Sequence, residues 1–190
     1  IINVLGKTMC NKANKDRILR IICLDFGAVW QIMEMMKKIQ SCCSIKVSCI
    51  GKDVHMFEEC QEYARKNRIT GLSFAAADIL SLPYRREYFD IGILAGSLST
   101  ISAPQCIEVL QNVKPYFKKG ATLLASNVTH TMYLEDPKVC YILDQFAGIK
   151  LRYKTPQDLR SMFEKAGYKW EGYVCDEPHR FHCIATGTVS

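Results

Sequence analysis

No apolar run in this chain is long enough to cross a bilayer as a helix, so no membrane-spanning role is expected. The first residues hold no basic n-region, apolar h-region and cleavage site, so no targeting segment is expected within them. The chain lacks CxxC and any Cys/His set at zinc spacing, which argues against a structural zinc module. Histidine is scarce, at four residues, and His179 and His182 have no third ligand at a motif spacing; no metal site is expected. No basic–aromatic repeat marks a nucleic-acid surface. No internal repeat, linker or low-complexity segment breaks the chain.

What remains is a sequence of 190 residues, 48% hydrophobic and 23% charged, which fits one packed domain over 1–190 rather than a disordered chain. The formal charge of +6 comes from cations dispersed among helix ends and turns, the ordinary place for them. Ten cysteines are present. Cys23 and Cys49 fall inside apolar runs, where a thiol behaves as a small hydrophobe, and the adjacent Cys42 and Cys43 cannot form an unstrained bridge. The thiols are therefore expected to be reduced and the compartment cytoplasmic. The chain opens on Ile rather than Met. Either a trimmed chain or a piece of a longer polypeptide is expected, and a preceding N-terminal segment is allowed for.

Apolar runs alternate with helical patterns. Residues 17–24, 45–50, 72–76, 89–95 and 121–126 read as strands, the fourth apolar enough to be buried on both faces. Val29 to Ile39 has helical spacing, with Ile32, Met35, Met36 and Ile39 on one stripe. Met56 to Asn67 and Gln105 to Phe117 read as further helices, the latter closed by Gly120. After a loop, Asp136 to Phe146 is a helix. Thr155-Pro156-Gln157-Asp158 starts another, with Thr as N-cap and Pro in the first turn; it stops at Gly167. Lys169 to Val174 and Phe181 to Thr186 then form two strands joined by a turn containing Pro178. Such alternation implies an α/β fold: a three-layer, mostly parallel sheet with an antiparallel C-terminal ending.

In an open parallel sheet, ligands bind beyond the carboxyl ends of the strands at the switch in strand order. An acidic residue stands at three successive tips: Asp25 in Asp25-Phe26-Gly27, Asp53 between Lys52 and Val54, and Asp78 before Ile79. A carboxylate at Asp53 can accept from both hydroxyls of a ribose. Asp78 is suited to an exocyclic amine such as that of adenine, with Ile79 packing on the ring. Asp25 either anchors the first turn or reaches the cationic part of a ligand. Each Asp is also an ordinary cap at a strand–helix turn. The run of three points to a nucleoside site.

The ordered segments LDFGAVW, CIGKDVHMFEECQEYARKN, FAAADILSLPYRREYFDIGILAGSLSTI and VLQNVKPYFKKGATLLAS, with TPQDLRSMFEKAGYKWEGYV later on, resemble the class I S-adenosylmethionine (SAM)-dependent methyltransferases over residues 17–189. The resemblance implies a Rossmann-like fold with SAM as cofactor. It puts Gly27 beside the methionine part of SAM, Asp53 on the ribose, Asp78 at the adenine amine, and Gly96 and Ser97 near the sulfonium and the acceptor. It also implies that residues 1–16 form a helical N-terminal segment packed near the cofactor. The glycine turn departs from the family pattern: Val29 and Gln31 stand where further glycines are usual, and Trp30 adds bulk close to the expected pocket. A glycine there would permit close backbone approach or positive φ.

No residue is an evident catalytic base. Methyl transfer from a sulfonium needs mainly alignment in a dry site. Asn127, Thr129, His130 and Tyr133 follow the fifth strand and are placed to face an acceptor, which the sequence does not identify. Two further readings stand beside the enzyme. One is a catalytically inactive methyltransferase-like module that binds a partner protein or serves as one domain of a larger chain. The other is a nicotinamide-dependent enzyme, disfavoured because the first turn has one glycine where that fingerprint has three.

Overall fold

The computed structural model describes residues 2–12, 18–39, 44–175 and 179–190. The expected Pro178 turn and the Cys42–Cys43 pair lie outside them. Helix α1 (Ile2–Lys12) precedes strand β1 (Leu19–Cys23), and a single 3-10 turn (Phe26–Ala28) leads into α2 (Val29–Ile39). Then come β2 (Ile45–Gly51), α3 (Val54–Lys66), β3 (Leu72–Ala76), β4 (Phe89–Ala95), α4 (Ala103–Val113) and β5 (Phe117–Val128). The remainder is α5 (His130–Glu135), α6 (Pro137–Gln145), α7 (Pro156–Lys165), β6 (Tyr168–Cys175) and β7 (His182–Val189).

The seven strands form one sheet in the order β3-β2-β1-β4-β5-β7-β6. The first five pair in parallel. β7 inserts antiparallel between β5 and β6. Side chains alternate across the sheet, as the period of two requires. Leu19, Ile21 and Cys23 of β1 point into a core shared with α1, α2 and α3, whereas Ile22 joins the core under α4 and α7. β4 lies between these layers and is buried along its whole length. On α2, Ile32, Met33, Met35 and Met36 face inward and Gln31 faces solvent. Leu5 and Met9 anchor α1 in the same layer. Among the described residues no helix is long and apolar enough to cross a membrane.

Local chemistry sets the helix ends. Asp53 caps α3 by accepting from the Met56 N–H at 3.2 Å, so the helix begins two residues before the expected start. Thr155 and Asp158 form a reciprocal capping box at α7, and Gly167 (φ 81°) ends that segment. The expectation that Gly120 closes α4 is corrected. α4 stops at Val113, because Pro115 lacks the N–H that would extend the ladder, and Gly120 (φ 75°) lies inside β5. Its left-handed backbone falls where the β4–β5 register shifts between Phe89 and Ile91. α5 occupies what reads in sequence as loop.

Cys23, Cys49, Cys60, Cys106, Cys140, Cys175 and Cys183 are thiols, all buried except the half-buried Cys175.

Candidate functional site

Strand order reverses between β1 and β4: the chain runs outward from β1 through β2 to β3, then returns to β4 and continues through β5. The crevice beyond the carboxyl ends of β1 and β4 is therefore the topological switch point. Asp25 occupies it. One oxygen of its carboxylate accepts from the Ala95 N–H at 3.1 Å and the Gly27 N–H at 3.2 Å. The other accepts from the Ser97 hydroxyl at 2.6 Å and the Ser97 N–H at 3.4 Å. Asp25 thus ties the turn after β1 to the turn after β4. These bonds anchor the first turn. Burial pushes its carboxyl above the ordinary carboxylate range, opposed by these donors.

Gly27 is demanded by space rather than by backbone angle. A Cβ there would sit 1.9 Å from the Ala95 carbonyl oxygen, so the first turn lies flat against the end of β4. The residues after it are helical. Val29 opens α2 fully buried, and a β-branched side chain meets no conflict at a helical position. Trp30 turns outward, 38% exposed, edge-on to Tyr63 of α3 at 5.1 Å. The bulk expected in the pocket is carried on the α2–α3 surface. Gly96 has φ 102°, which glycine alone adopts freely, and its N–H donates to the Ser126 hydroxyl at 3.0 Å.

Asp53 and Asp78 stand over the adjacent tips of β2 and β3, where Gly51 pairs with Ala76. Asp53 is exposed and spends one oxygen on its helix cap. Asp78 accepts from the Leu80 N–H at 2.9 Å and pairs with Lys52 at 2.7 Å. The backbone donor first, and Lys52 second, hold its carboxyl below the usual range. The ion pair is open to water, at 76% and 44% side-chain exposure. Val54 is exposed and Ile79 packs on the core beneath α4. The expected residues therefore form two groups on one edge: Asp25, Gly27, Gly96 and Ser97 at the β1–β4 crevice, and Asp53, Val54, Asp78 and Ile79 over β2 and β3. Hydrogen bonds to Asp25 join Gly27 and Ser97 of the first group directly.

Sequence reading missed Lys154. It is only 5% exposed, and its ammonium donates to the carbonyls of Leu98, Ile101 (3.1 Å) and Arg152 (3.1 Å). Burial pushes its pKa down. The Arg152 N–H donates to Ser99 O at 2.6 Å, and the Val128 N–H donates to the Ser99 hydroxyl at 3.0 Å. The turn that carries Ser97 is thereby stitched to residues 152–154 and to the end of β5. The same segment walls a cleft of about 480 Å³ lined by Tyr133, Cys140, Tyr141, Asp144, Lys150 and Tyr153, among others. His130, Tyr133 and Tyr153 form a ring cluster with centroids 5.7–5.8 Å apart. Asn127 is buried, its amide donating to Val128 O at 2.5 Å and its own oxygen unmatched. Among the described residues no group of three or more potential ligands is placed to hold a metal.

Comparison with solved structures gives the same fold at low identity. A SAM-dependent methyltransferase from Methanosarcina mazei superimposes with a TM-score of 0.72 at 13% identity, over 95% of this chain and 96% of that one. Magnesium protoporphyrin IX methyltransferase from Synechocystis PCC 6803, with bound SAH, gives 0.73 at 14% identity over 100% and 81%. The [4+2]-cyclase SpnF gives 0.72 at 14% over 99% and 80%. No curated protein matches the sequence. The family model described as a methyltransferase domain matches residues 31–167, most of the chain, and the chain belongs to that family.

Proposed function

We propose that this chain is a SAM-dependent methyltransferase that binds SAM across the carboxyl ends of β1, β2 and β4. The observation that carries the reading is the gathering of a close-packed Gly27 turn, the Gly96–Ser97 turn and the acidic tips Asp53 and Asp78 on one edge at the switch point. The residues fit the cofactor. The Asp53 carboxylate is exposed and one of its oxygens lies outside the helix cap, which suits it to accept from ribose hydroxyls. The Lys52–Asp78 pair is solvent-exposed, and such a pair costs only about 0–1 kcal/mol to give up. Asp78 is then able to turn to an amine donor. Gly96 exposes bare backbone to the crevice.

SAM supplies an activated methyl group on a sulfonium. The protein's part is orientation and exclusion of water. Asp25 holds the two turns in register through four hydrogen bonds, and Lys154 holds the second turn from behind. The acceptor enters over the tip of β5, past Thr129 and His130, where Tyr133 lines the aromatic cleft and packs on His130. Asp25 is committed to its backbone partners, so it serves as a brace and not as a base.

The scaffold reading draws on a specific observation: Asp53 and Asp78 each already serve a partner within the chain. Thermal shift and calorimetry with SAM, S-adenosylhomocysteine and NAD separate the alternatives, because a ligand selective for the native state raises its apparent stability. Binding of SAM and S-adenosylhomocysteine, without NAD, is expected. No binding at millimolar SAM would hand the chain to the scaffold reading.

A further inference from the structure

The β6–β7 hairpin holds two cysteines face to face. Cys175, the last residue of β6, pairs with Cys183 of β7 in the antiparallel register. Directly opposed residues of an antiparallel ladder project to the same face, with Cα atoms roughly 4.5–5.5 Å apart. A disulfide requires roughly 4.4–6.8 Å. The Cα spacing of such a pair falls within that range, so a bridge needs only a small approach of the two Cβ atoms. The two thiols differ in access: Cys183 is 1% exposed, whereas Cys175 is half-buried at the mouth of the hairpin.

We propose that Cys175 and Cys183 form a site of reversible covalent modification, a dithiol that closes to an intramolecular disulfide by exchange with a small-molecule disulfide such as oxidised glutathione. The Cys175 thiolate attacks one sulfur of the reagent. A mixed disulfide forms on Cys175 and one thiol leaves. The Cys183 thiolate then attacks the Cys175 sulfur and expels the second thiol. The reagent's S–S bond is reduced, one protein S–S bond is made, and the two thiol protons leave with the two released thiols. Burial confines Cys183 to the second step, in which it attacks the sulfur opposite it across the ladder.

The chain carries its own control. Cys23 and Cys49 are also direct neighbours, in the parallel β1–β2 register. Both are fully buried in the core shared with α2, where no reagent reaches them in the folded state. Proximity is common to both pairs; access distinguishes them.

The bridge would close the hairpin beside the candidate site. The Thr129 N–H donates to Phe181 O at 2.8 Å, its hydroxyl donates to Arg180 O at 2.5 Å, and Val128 pairs with His182. The mouth of the hairpin is therefore bonded to the first residue after β5, next to the His130–Tyr153 ring cluster.

The test is exchange of the full chain with oxidised glutathione under native conditions, followed by alkylation and tryptic mapping. Cleavage at Lys169 and Arg180 puts the two cysteines on separate peptides, 170–180 and 181–190. The expected product is these peptides joined and lighter by two hydrogens, formed before any link between Cys23 and Cys49 and reversed by dithiothreitol. Cys183→Ser should instead retain one glutathionyl group on Cys175, and Cys175→Ser should give neither product. Wild type that keeps glutathione on Cys175, or that stays fully alkylated after excess reagent, would overturn the proposal. So would a Cys23–Cys49 link that forms as fast.

Discussion

Lys154→Met is the substitution most directly informative about the candidate site. It removes a buried ammonium and keeps a side chain of similar length. Three carbonyls, those of Leu98, Ile101 and Arg152, lose their shared donor. Hydrogen bonds from a charged group contribute about 1.5–3 kcal/mol each, and three would approach about 4.5–9 kcal/mol. Against this stands the relief of desolvation, several kcal/mol for an ammonium taken out of water. The difference leaves the variant roughly 2–4 kcal/mol less stable. At about 2–4 °C per kcal/mol for a chain of this size, the melting temperature should fall by ~4–16 °C. Two readouts sharpen the test. Because Lys154 steadies the turn bearing Ser97, the variant should also bind S-adenosylhomocysteine more weakly at temperatures where it is fully folded. The lysine's folded pKa is depressed, so the unfolded chain binds more protons as pH rises from that value to about 10.4. Wild type should therefore gain stability relative to the variant through that window. A variant that melts at or above wild type would mean that the burial cost of the ammonium exceeds the worth of its three bonds, and the brace would be refuted.

Other outcomes follow from the same geometry. Asp53→Ala removes a charged acceptor worth about 1.5–3 kcal/mol, so SAM affinity by calorimetry should fall roughly 10- to 100-fold, with a smaller loss for Asp78→Ala; equal binding by Asp53→Ala would remove it from the site. Gly27→Ala drives a methyl group onto the Ala95 carbonyl, a backbone atom that cannot step aside, and should lower the melting temperature and weaken SAM together. Asp25 has its folded pKa raised, so the native state holds the proton more tightly than the unfolded chain. Its contribution to stability should decline as pH rises from about 3.9 through the raised value; denaturant melts of wild type and Asp25→Asn across that range should show the difference shrinking with pH, and a growing difference would contradict the burial argument.

What could be read from the sequence was whatever is encoded locally. β3 and β4 emerge with the expected bounds because β4 is apolar at every position but Asp90 and β3 is bracketed by turn residues. The start of α7 is legible because Thr155 and Asp158 carry the cap within four residues. The strand-tip carboxylates are legible because strand–helix alternation places every such turn on one edge of the sheet. The misreadings share a cause as well. Gly120 looks like a helix stop, yet Pro115 has already ended α4, and the glycine serves a strand irregularity whose reason lies in β4. Trp30 looks like an obstruction until Tyr63, on the next helix, supplies its partner.

Lys154 is the clearest case of the other kind. Its partners Leu98 and Ile101 lie 56 and 53 residues away, and in sequence it is one more cation of the run Lys150, Arg152 and Lys154, which reads as solvated. Asp25 shows how the two levels combine. Its position at a strand tip is legible in the sequence, while what it bonds depends on Ala95 and Ser97, seventy and seventy-two residues later. The turns that form this edge are thus specified locally in sequence but held in register by long-range donors. That division explains how the glycine pattern after β1 can change while the crevice stays organised: Val29 and Gln31 sit within a helix, where glycine is not required, and the close approach to β4 falls on Gly27 alone.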